Sequence, residues 1–192
     1  MKVVLFIDGS NFYHGLKSIY GEDKKLSLFN FLKFGELLSG KRDLLRIFYY
    51  NASLDFSDNE KKYWNQQRFF ERIKNTEKVK LILSRLQKRK IKGTNEHYYV
   101  VKGDDIHLAV DMVKGAYEGT FDVAILVSGD GDFIPAVEII QEKGKSVENA
   151  YFKQSLSWHL KQECDKSIKL TKEMLDTCFD EEAKQEFDEA KK

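Results

Sequence analysis

A mainly parallel β-sheet covered on both faces by helices is the fold class this sequence predicts. Three observations carry the prediction. Short apolar runs of strand length alternate with stretches of helical period, and such alternation implies parallel strands joined by crossover helices. The runs are nearly continuous, as expected of strands buried on both faces. At 192 residues, the chain suits one domain with a proper core.

The elements follow in order. Residues 2–8 read as a buried strand, Val3-Val4-Leu5-Phe6-Ile7 closed by Asp8-Gly9. A short helix is expected over 11–19. Ser27 is placed to cap a second helix, with Phe31, Leu32, Phe34, Leu37 and Leu38 at helical spacing. Leu44 to Tyr50 is the second strand. Asp58 then caps a long polar helix to about Lys74, carrying Tyr63, Trp64, Phe69 and Phe70. Residues 78–84 make a third strand. Residues 85–101 form a basic excursion, with Gly93-Thr94-Asn95 as its turn and Glu96 to Val101 as the returning strand.

Helix 105–118, strand 122–128 and helix 133–143 come next, with Gly144 as the stop. Pro135, the only proline, falls in the first turn of that helix, where its missing N–H costs little. A strand over 145–151, a helix near 154–163 and a short edge strand from Ile168 to Leu170 complete the set. The expected organisation is a main domain over 1–152, a C-terminal helical extension over 153–178 packed on it, and an acidic tail over 179–192, helical or frayed. The C-terminal helices could pack on the sheet edge, mediate a homodimer or recruit a partner.

Composition narrows the function classes. Hydrophobic residues make up 42% and charged residues 33%, which reads as globular rather than disordered. The longest apolar runs fall far short of the ~20 residues needed to cross a bilayer, and the start lacks a signal peptide's apolar length. No membrane role is expected. The two cysteines, Cys164 and Cys178, have no CxxC spacing and fit a reducing cytoplasm. The net charge of +1 does not announce a nucleic-acid binder. Charge is uneven, however: Arg85, Lys88, Arg89, Lys90 and Lys92 crowd one short run, while Asp180 to Glu189 is mainly acidic.

The chemistry lies in the aspartates. Asp8 and Asp130-Gly131-Asp132 stand where the strands 2–8 and 122–128 run out, and Asp104, Asp105 and Asp111 accompany the start of the helix between them. In open sheets of this kind ligands bind beyond the carboxyl ends of the strands, where strand order reverses. If strands 2–8 and 122–128 are neighbours across that reversal, Asp8 and Asp130 converge. Crowded carboxylates repel unless a cation sits among them, which suggests a hard divalent ion and phosphate chemistry.

Each motif also has a plain reading. Asp8-Gly9-Ser10-Asn11 alone can be a turn with Asn11 capping a helix, and Asp132 can cap the helix after Gly131. Ile106, Ala109, Val110 and Val113 make one apolar face on the helical wheel, with Asp111 well off it and Asp104 on the side of Asp111. Asp105 sits at the N-cap or in the first turn. The wheel does not choose among these aspartates.

The combination Phe6-Ile7-Asp8-Gly9-Ser10-Asn11-Phe12-Tyr13, then Lys102-Gly103-Asp104-Asp105-Ile106 with Leu108 and Asp111, then Leu126-Val127-Ser128-Gly129-Asp130-Gly131-Asp132-Phe133 resembles the NYN domain. It looks most like the LabA-like branch, within the PIN-like nuclease superfamily, over roughly residues 1–152. The resemblance implies a Rossmann-like, three-layer α/β/α fold and an acidic divalent-metal site that cuts RNA phosphodiesters. Carried over by position, that site includes Asp8, Asp105, Asp111, Asp130 and Asp132, with Asn11 and Ser128 in support. Asp104 stands where many members have an apolar residue, and a supporting role is expected of it.

The residue chemistry agrees with that implication. Mg²⁺ or Mn²⁺ takes oxygen ligands and keeps several waters, so a few carboxylates suffice. Asp8, Asp111 and Asp130 are the expected principal ligands, with Asp132 and Asp105 orienting a nucleophilic water or a second ion. His14, His97, His107 and His159 have no metal spacing and read as structural or surface residues. For an RNA strand, cations are available at Lys102, Arg85, Lys88, Arg89, Lys90 and Lys92, and an aromatic ring at Tyr13. The leading expectation is a metal-dependent ribonuclease. The alternative is a non-catalytic RNA-binding or regulatory module that keeps the fold.

Overall fold

The computed structural model describes residues 1–21, 26–56, 59–94 and 97–180, of which 85–89 and 97–102 are described by their backbone alone. Strands β1 (Lys2–Asp8), β2 (Asp43–Ala52), β3 (Val79–Lys90), β4 (His97–Lys102), β5 (Val123–Val127), β6 (Ser146–Tyr151) and β7 (Lys166–Lys169) form one sheet in the order β4-β3-β2-β1-β5-β6-β7. All are parallel except β4, which runs antiparallel to the outer half of β3.

Helices lie on both faces: α1 (Gly9–Tyr20), α2 (Phe31–Ser39), α3 (Glu60–Lys74), α4 (Asp104–Tyr117), α5 (Ile134–Glu142), α6 (Trp158–Glu163) and α7 (Lys172–Asp176). The arrangement is the expected three-layer α/β/α fold.

Alternation along β1 builds two cores at once. Val3, Leu5 and Ile7 pack with Phe12, Leu16, Phe31, Phe34, Phe70 and Leu175 from α1, α2, α3 and α7. Val4 and Phe6 pack on the other face with Leu108, Met112, Val137 and Leu160 from α4, α5 and α6. β1 and β5 bury both faces, so their sequences show no alternation of polar and apolar residues.

β1 is the pivot. It pairs with β2 on one side and β5 on the other, Ile7 standing opposite Val127 and Asp8 opposite Tyr50. From β1 the chain builds outward to β2 and β3, then returns to β5, β6 and β7. Strand order therefore reverses between β1 and β5, as the site argument required.

Several local expectations are corrected. Asn30, not Ser27, caps α2, its side chain accepting from the Lys33 N–H. Asp58 lies outside the described residues, and Asn59 caps α3. Asp8 itself caps α1, which places Asn11 inside that helix. Asp130 rather than Asp132 caps the short 3-10 turn Gly131–Phe133 that leads into α5.

The larger correction concerns α4. It buries Leu108, Met112, Gly115 and Ala116 and leaves Ile106 and Val110 exposed. Both sides of this helix are apolar, so periodicity alone could not say which faces the sheet.

The basic excursion is a hairpin. β3 continues without a break past its pairing with β2, and Arg85 then stands opposite Lys102 and Lys90 opposite His97. Of the expected turn, Gly93 has a left-handed backbone, while Asn95 and Glu96 lie outside the described residues. Gly144 likewise takes φ +71° just after α5. The acidic run beyond Asp180 is also outside them. No described helix is long and apolar enough to cross a membrane.

Candidate functional site

The carboxyl ends of β1 and β5 open into a cavity of about 490 Å³ lined by Asp8, Ser10, Asn11, His14, Gly15, Asp104, Asp105, Asp130, Gln154 and Ser155. Residues from four separate parts of the chain meet there. The end of β1 and the first turns of α1 deliver Asp8, Ser10, Asn11 and His14, the start of α4 delivers Asp104 and Asp105, the loop after β5 delivers Asp130, and the turn after β6 delivers Gln154 and Ser155.

Asp8 is held firmly. As the N-cap of α1 it accepts from the Asn11 N–H at 3.0 Å, and its other oxygen accepts from the Ser128 hydroxyl at 2.9 Å. The same Ser128 oxygen accepts from the Asp130 N–H at 3.1 Å. Asp130 in turn accepts from the Asp132 N–H at 2.9 Å. Ser128 is thus the joint between the two strand ends. Below it, the buried Asn149 of β6 donates to the Leu126 and Ser128 carbonyls at 3.2 and 2.8 Å.

Asn11 ties in a third segment. Its side-chain oxygen accepts from the Gly129 N–H at 3.2 Å and from the Ser155 hydroxyl at 3.0 Å. The segments approach so closely that only glycine fits at two points. A Cβ at Gly129 would collide with the Ser155 carbonyl, and one at Gly9 with the Tyr50 carbonyl. Gly103, at φ +91°, turns the chain from β4 into α4 so that Asp104 and Asp105 enter the cavity.

The electrostatics are those of crowded anions. Burial pushes the Asp8 carboxyl up; the bonds from Asn11 and Ser128 pull it back, and Asp104 and Asp130 push it further up. Asp105 is pushed up to about 6, first by desolvation, then by the charges of Asp104, Asp8, Asp130 and Asp132. A cation placed among these groups would offset their mutual repulsion and favour their ionised forms.

The other expected residues divide. Asp132 is exposed beside the cavity. Asp111 does not line it; its carboxylate accepts from the Tyr50 hydroxyl at 2.9 Å, and Tyr50 stands opposite Asp8 in the sheet. Asp104, expected only to support, lines the cavity itself. Tyr13, Lys90 and Lys92 are exposed, whereas the side chains of Arg85, Lys88, Arg89 and Lys102 are outside the description.

Ser10, Gln154 and Ser155 line the cavity without having been singled out, and His14, read from the sequence as a structural or surface residue, lines it too. Ser10 and His14 sit two and six residues from Asp8 on the first turns of α1, a spacing that could have flagged them. Gln154 and Ser155 carried no sequence signal.

Among the described residues, no three carboxylate, imidazole or thiol groups stand close enough to ligate one ion directly. The donor set still fits a magnesium-like ion, which keeps several of its waters and needs only one or two direct carboxylates. Asp8, Asp105 and Asp130 offer hard oxygen donors, and Asp8 and Asp105 hold their protons more tightly than usual, first through burial and then through the neighbouring carboxylates.

Comparison with known proteins agrees with this architecture. A crystal structure of a protein of unknown function from Vibrio parahaemolyticus superposes with a TM-score of 0.66 at 22% identity, covering 89% of this chain and 93% of that one. At that identity the likeness concerns the fold. No curated protein matches the chain. The family model of the NYN domain matches residues 2–172, further than the motifs alone reach and far enough to include Gln154, Ser155 and β7. With its acidic cavity at the strand-order reversal and this match over most of its length, the chain belongs to the NYN domain family, part of the PIN-like nuclease superfamily.

Proposed function

We propose that this protein is a divalent-metal-dependent ribonuclease of the LabA-like branch that hydrolyses RNA phosphodiester bonds at the Asp8–Asp105–Asp130 cavity. The observation that carries the reading is the meeting of Asp8, Asp104, Asp105 and Asp130 in one open cavity, with Asp105 driven up to about 6 by burial and its acidic neighbours.

Asp8, Asp105 and Asp130 would hold Mg²⁺ or Mn²⁺, with Asp104 beside them and Asp111 and Asp132 at the margins. The ion would lower the pKa of water and offset charge on phosphate and leaving oxygens. The protein's own contribution is positioning. Ser128 and the Asn11 N–H fix both oxygens of Asp8, so its rotamer is set before substrate arrives. Asn11, held by Gly129 and Ser155, keeps α1 and the loop after β5 in register. His14, on the cavity wall, is a candidate proton donor to a leaving oxygen. The hairpin carrying Arg85, Lys88, Arg89, Lys90, Lys92 and Lys102 ends at Lys102, one residue before the α4 N-cap Gly103, and would supply cations for the RNA backbone. The free thiols Cys164 and Cys178, both buried, fit a reducing cytoplasm.

Purified protein is expected to cut RNA in Mg²⁺ or Mn²⁺, to stop in chelator, and to lose at least about 10²-fold activity in Asp8→Asn or Asp130→Asn. Cleavage by those variants at the wild-type rate removes the proposal. RNA binding that survives both substitutions, without turnover in either metal, would instead favour a non-catalytic RNA-binding module.

A further inference from the structure

α3 carries a feature that neither the cores nor the acidic cavity uses. Its buried residues are Phe70 and Ile73, both in its second half. The first half is polar and stands off the core, yet it presents Tyr63 and Trp64. Phe56, from the loop after β2, joins them. The three rings meet edge to face: Phe56–Tyr63 at 5.5 Å and 89°, Phe56–Trp64 at 6.3 Å and 82°, Tyr63–Trp64 at 5.3 Å and 78°. An edge-to-face contact occupies one face of one ring in each pair, and Phe56 and Trp64 remain 51% and 50% exposed.

This cluster is built rather than incidental. The loop is clamped onto the helix by Gln66, which accepts from the Leu54 N–H at 2.7 Å and donates to the Ala52 carbonyl at 3.1 Å. Gln67 donates to the Ser53 hydroxyl at 3.0 Å. The loop leaves the carboxyl end of β2, the strand beside Asp8, so the rings stand on the same rim as the acidic cavity. On the other side of β2, β3 runs on into the basic hairpin.

Charge selects the occupant. Lys61 and Arg68, both exposed, lie three residues before and four after Trp64, on a stripe of the helix that also carries the exposed Glu60 and keeps a net positive charge. A flat aromatic surface flanked by cations, next to a site for phosphate chemistry, suits a base and its two neighbouring phosphates. Paired bases in a duplex have no free face to offer.

We propose that Phe56, Tyr63 and Trp64 form a stacking site for an unpaired nucleobase of the RNA strand, placing single-stranded rather than duplex RNA on the rim. The inference rests on the RNA reading above and adds a binding site to it.

Trp64 and Trp158 are the two tryptophans, so a Trp158→Phe chain reports on Trp64 alone. Its fluorescence is followed in chelator, with Asp130→Asn preventing cleavage, during titration with a uridine oligonucleotide. Matched titrations use the same strand annealed to its complement, and inorganic polyphosphate. Quenching by the single strand alone is expected, with binding about tenfold weaker in Phe56→Ala and in Trp64→Ala with binding read by anisotropy, and near wild type in Trp64→Phe.

Absence of quenching, equal quenching by polyphosphate, or unchanged affinity in Trp64→Ala overturns the site. So does a Trp64→Ala chain that changes from dimer to monomer at unaltered RNA affinity, since a second copy would then be the occupant. Failure of the nuclease reading is separate. Wild-type protein that cuts nothing yet shows single-strand quenching loses the chemistry and keeps the stacking site. Wild-type cleavage matched by Trp64→Ala, with unchanged binding, does the reverse.

Discussion

Asp105 shows most directly what the cavity costs the fold. Its proton is held to about pH 6 by burial and by the charges of Asp104, Asp8, Asp130 and Asp132. A folded pKa above the ordinary value of 3.8 means that the native state binds this proton more tightly than the unfolded chain does. The stability it contributes is therefore full below about pH 4 and is lost as pH rises through about 6. Asp105→Asn is expected to melt at a higher temperature than wild type at pH 7.5 in chelator, with the difference shrinking as pH falls towards 4. The same variant is expected to lose at least about 10²-fold cleavage. Scanning fluorimetry across this pH range is the check, and coincident melting curves at pH 7.5 would refute it. Asp104 and Asp105 differ in sequence by one position, and a helical wheel separates them by about 100°. They nevertheless reach the same cavity, because Gly103 sets the start of α4.

At the scale of elements, strands were easier to read than helix faces. A continuous run such as Val3 to Ile7 has one interpretation in an α/β chain. α4 had two, since Ile106, Val110 and Val113 form an apolar stripe as clear as that of Leu108, Met112 and Ala116. The second set is the one that packs with Val4, Phe6 and Leu126, and that orientation carries Asp104 and Asp105 over the strand ends. The caps were misjudged for a related reason: Ser27 and Asp58 are good capping residues, but Asn30 and Asn59 lie nearer the first helical turn. The hairpin of β3 and β4 was legible as a basic excursion, and the structure pairs its strands from Arg85–Lys102 to Lys90–His97. Replacing the exposed Lys90 and Lys92 together by glutamine is expected to weaken RNA binding at low salt. It should also flatten the slope of log affinity against log salt by about 1.4 units if each lysine meets one phosphate, at roughly 0.7 per contact on a single strand. An unchanged slope, measured by anisotropy at several salt concentrations in chelator, would take the hairpin out of the RNA path.

For the whole molecule, the cavity is a consequence of topology. A chain that runs β1, β2, β3 to one side and β5, β6, β7 to the other must leave a crevice between β1 and β5. Four aspartates at its mouth store repulsion that a bound cation would relieve. Ligand that binds only the folded state stabilises it by about 2.7 kcal/mol at a hundredfold excess over Kd. For a chain of this size that corresponds to a melting temperature about 5–10 °C higher. Mn²⁺ is expected to produce such a rise in wild type, Na⁺ at equal ionic strength is not, and Asp8→Asn should abolish it. A rise of the same size in Asp8→Asn would locate the ion elsewhere.

The linear chain determined the alternation of strands and helices, the parallel sheet, and the aspartates that close β1 and follow β5, because apolar period and turn chemistry are local properties. Only the tertiary structure decided which face of α4 is buried, that Asp104 enters the cavity while Asp111 pairs with Tyr50, and that Gln154 and Ser155 close the wall beside Asn11. Those outcomes depend on contacts between residues more than a hundred positions apart in some cases, such as Ser155 with Asn11. No local pattern encodes such contacts, since they arise only when the sheet brings its strand ends together.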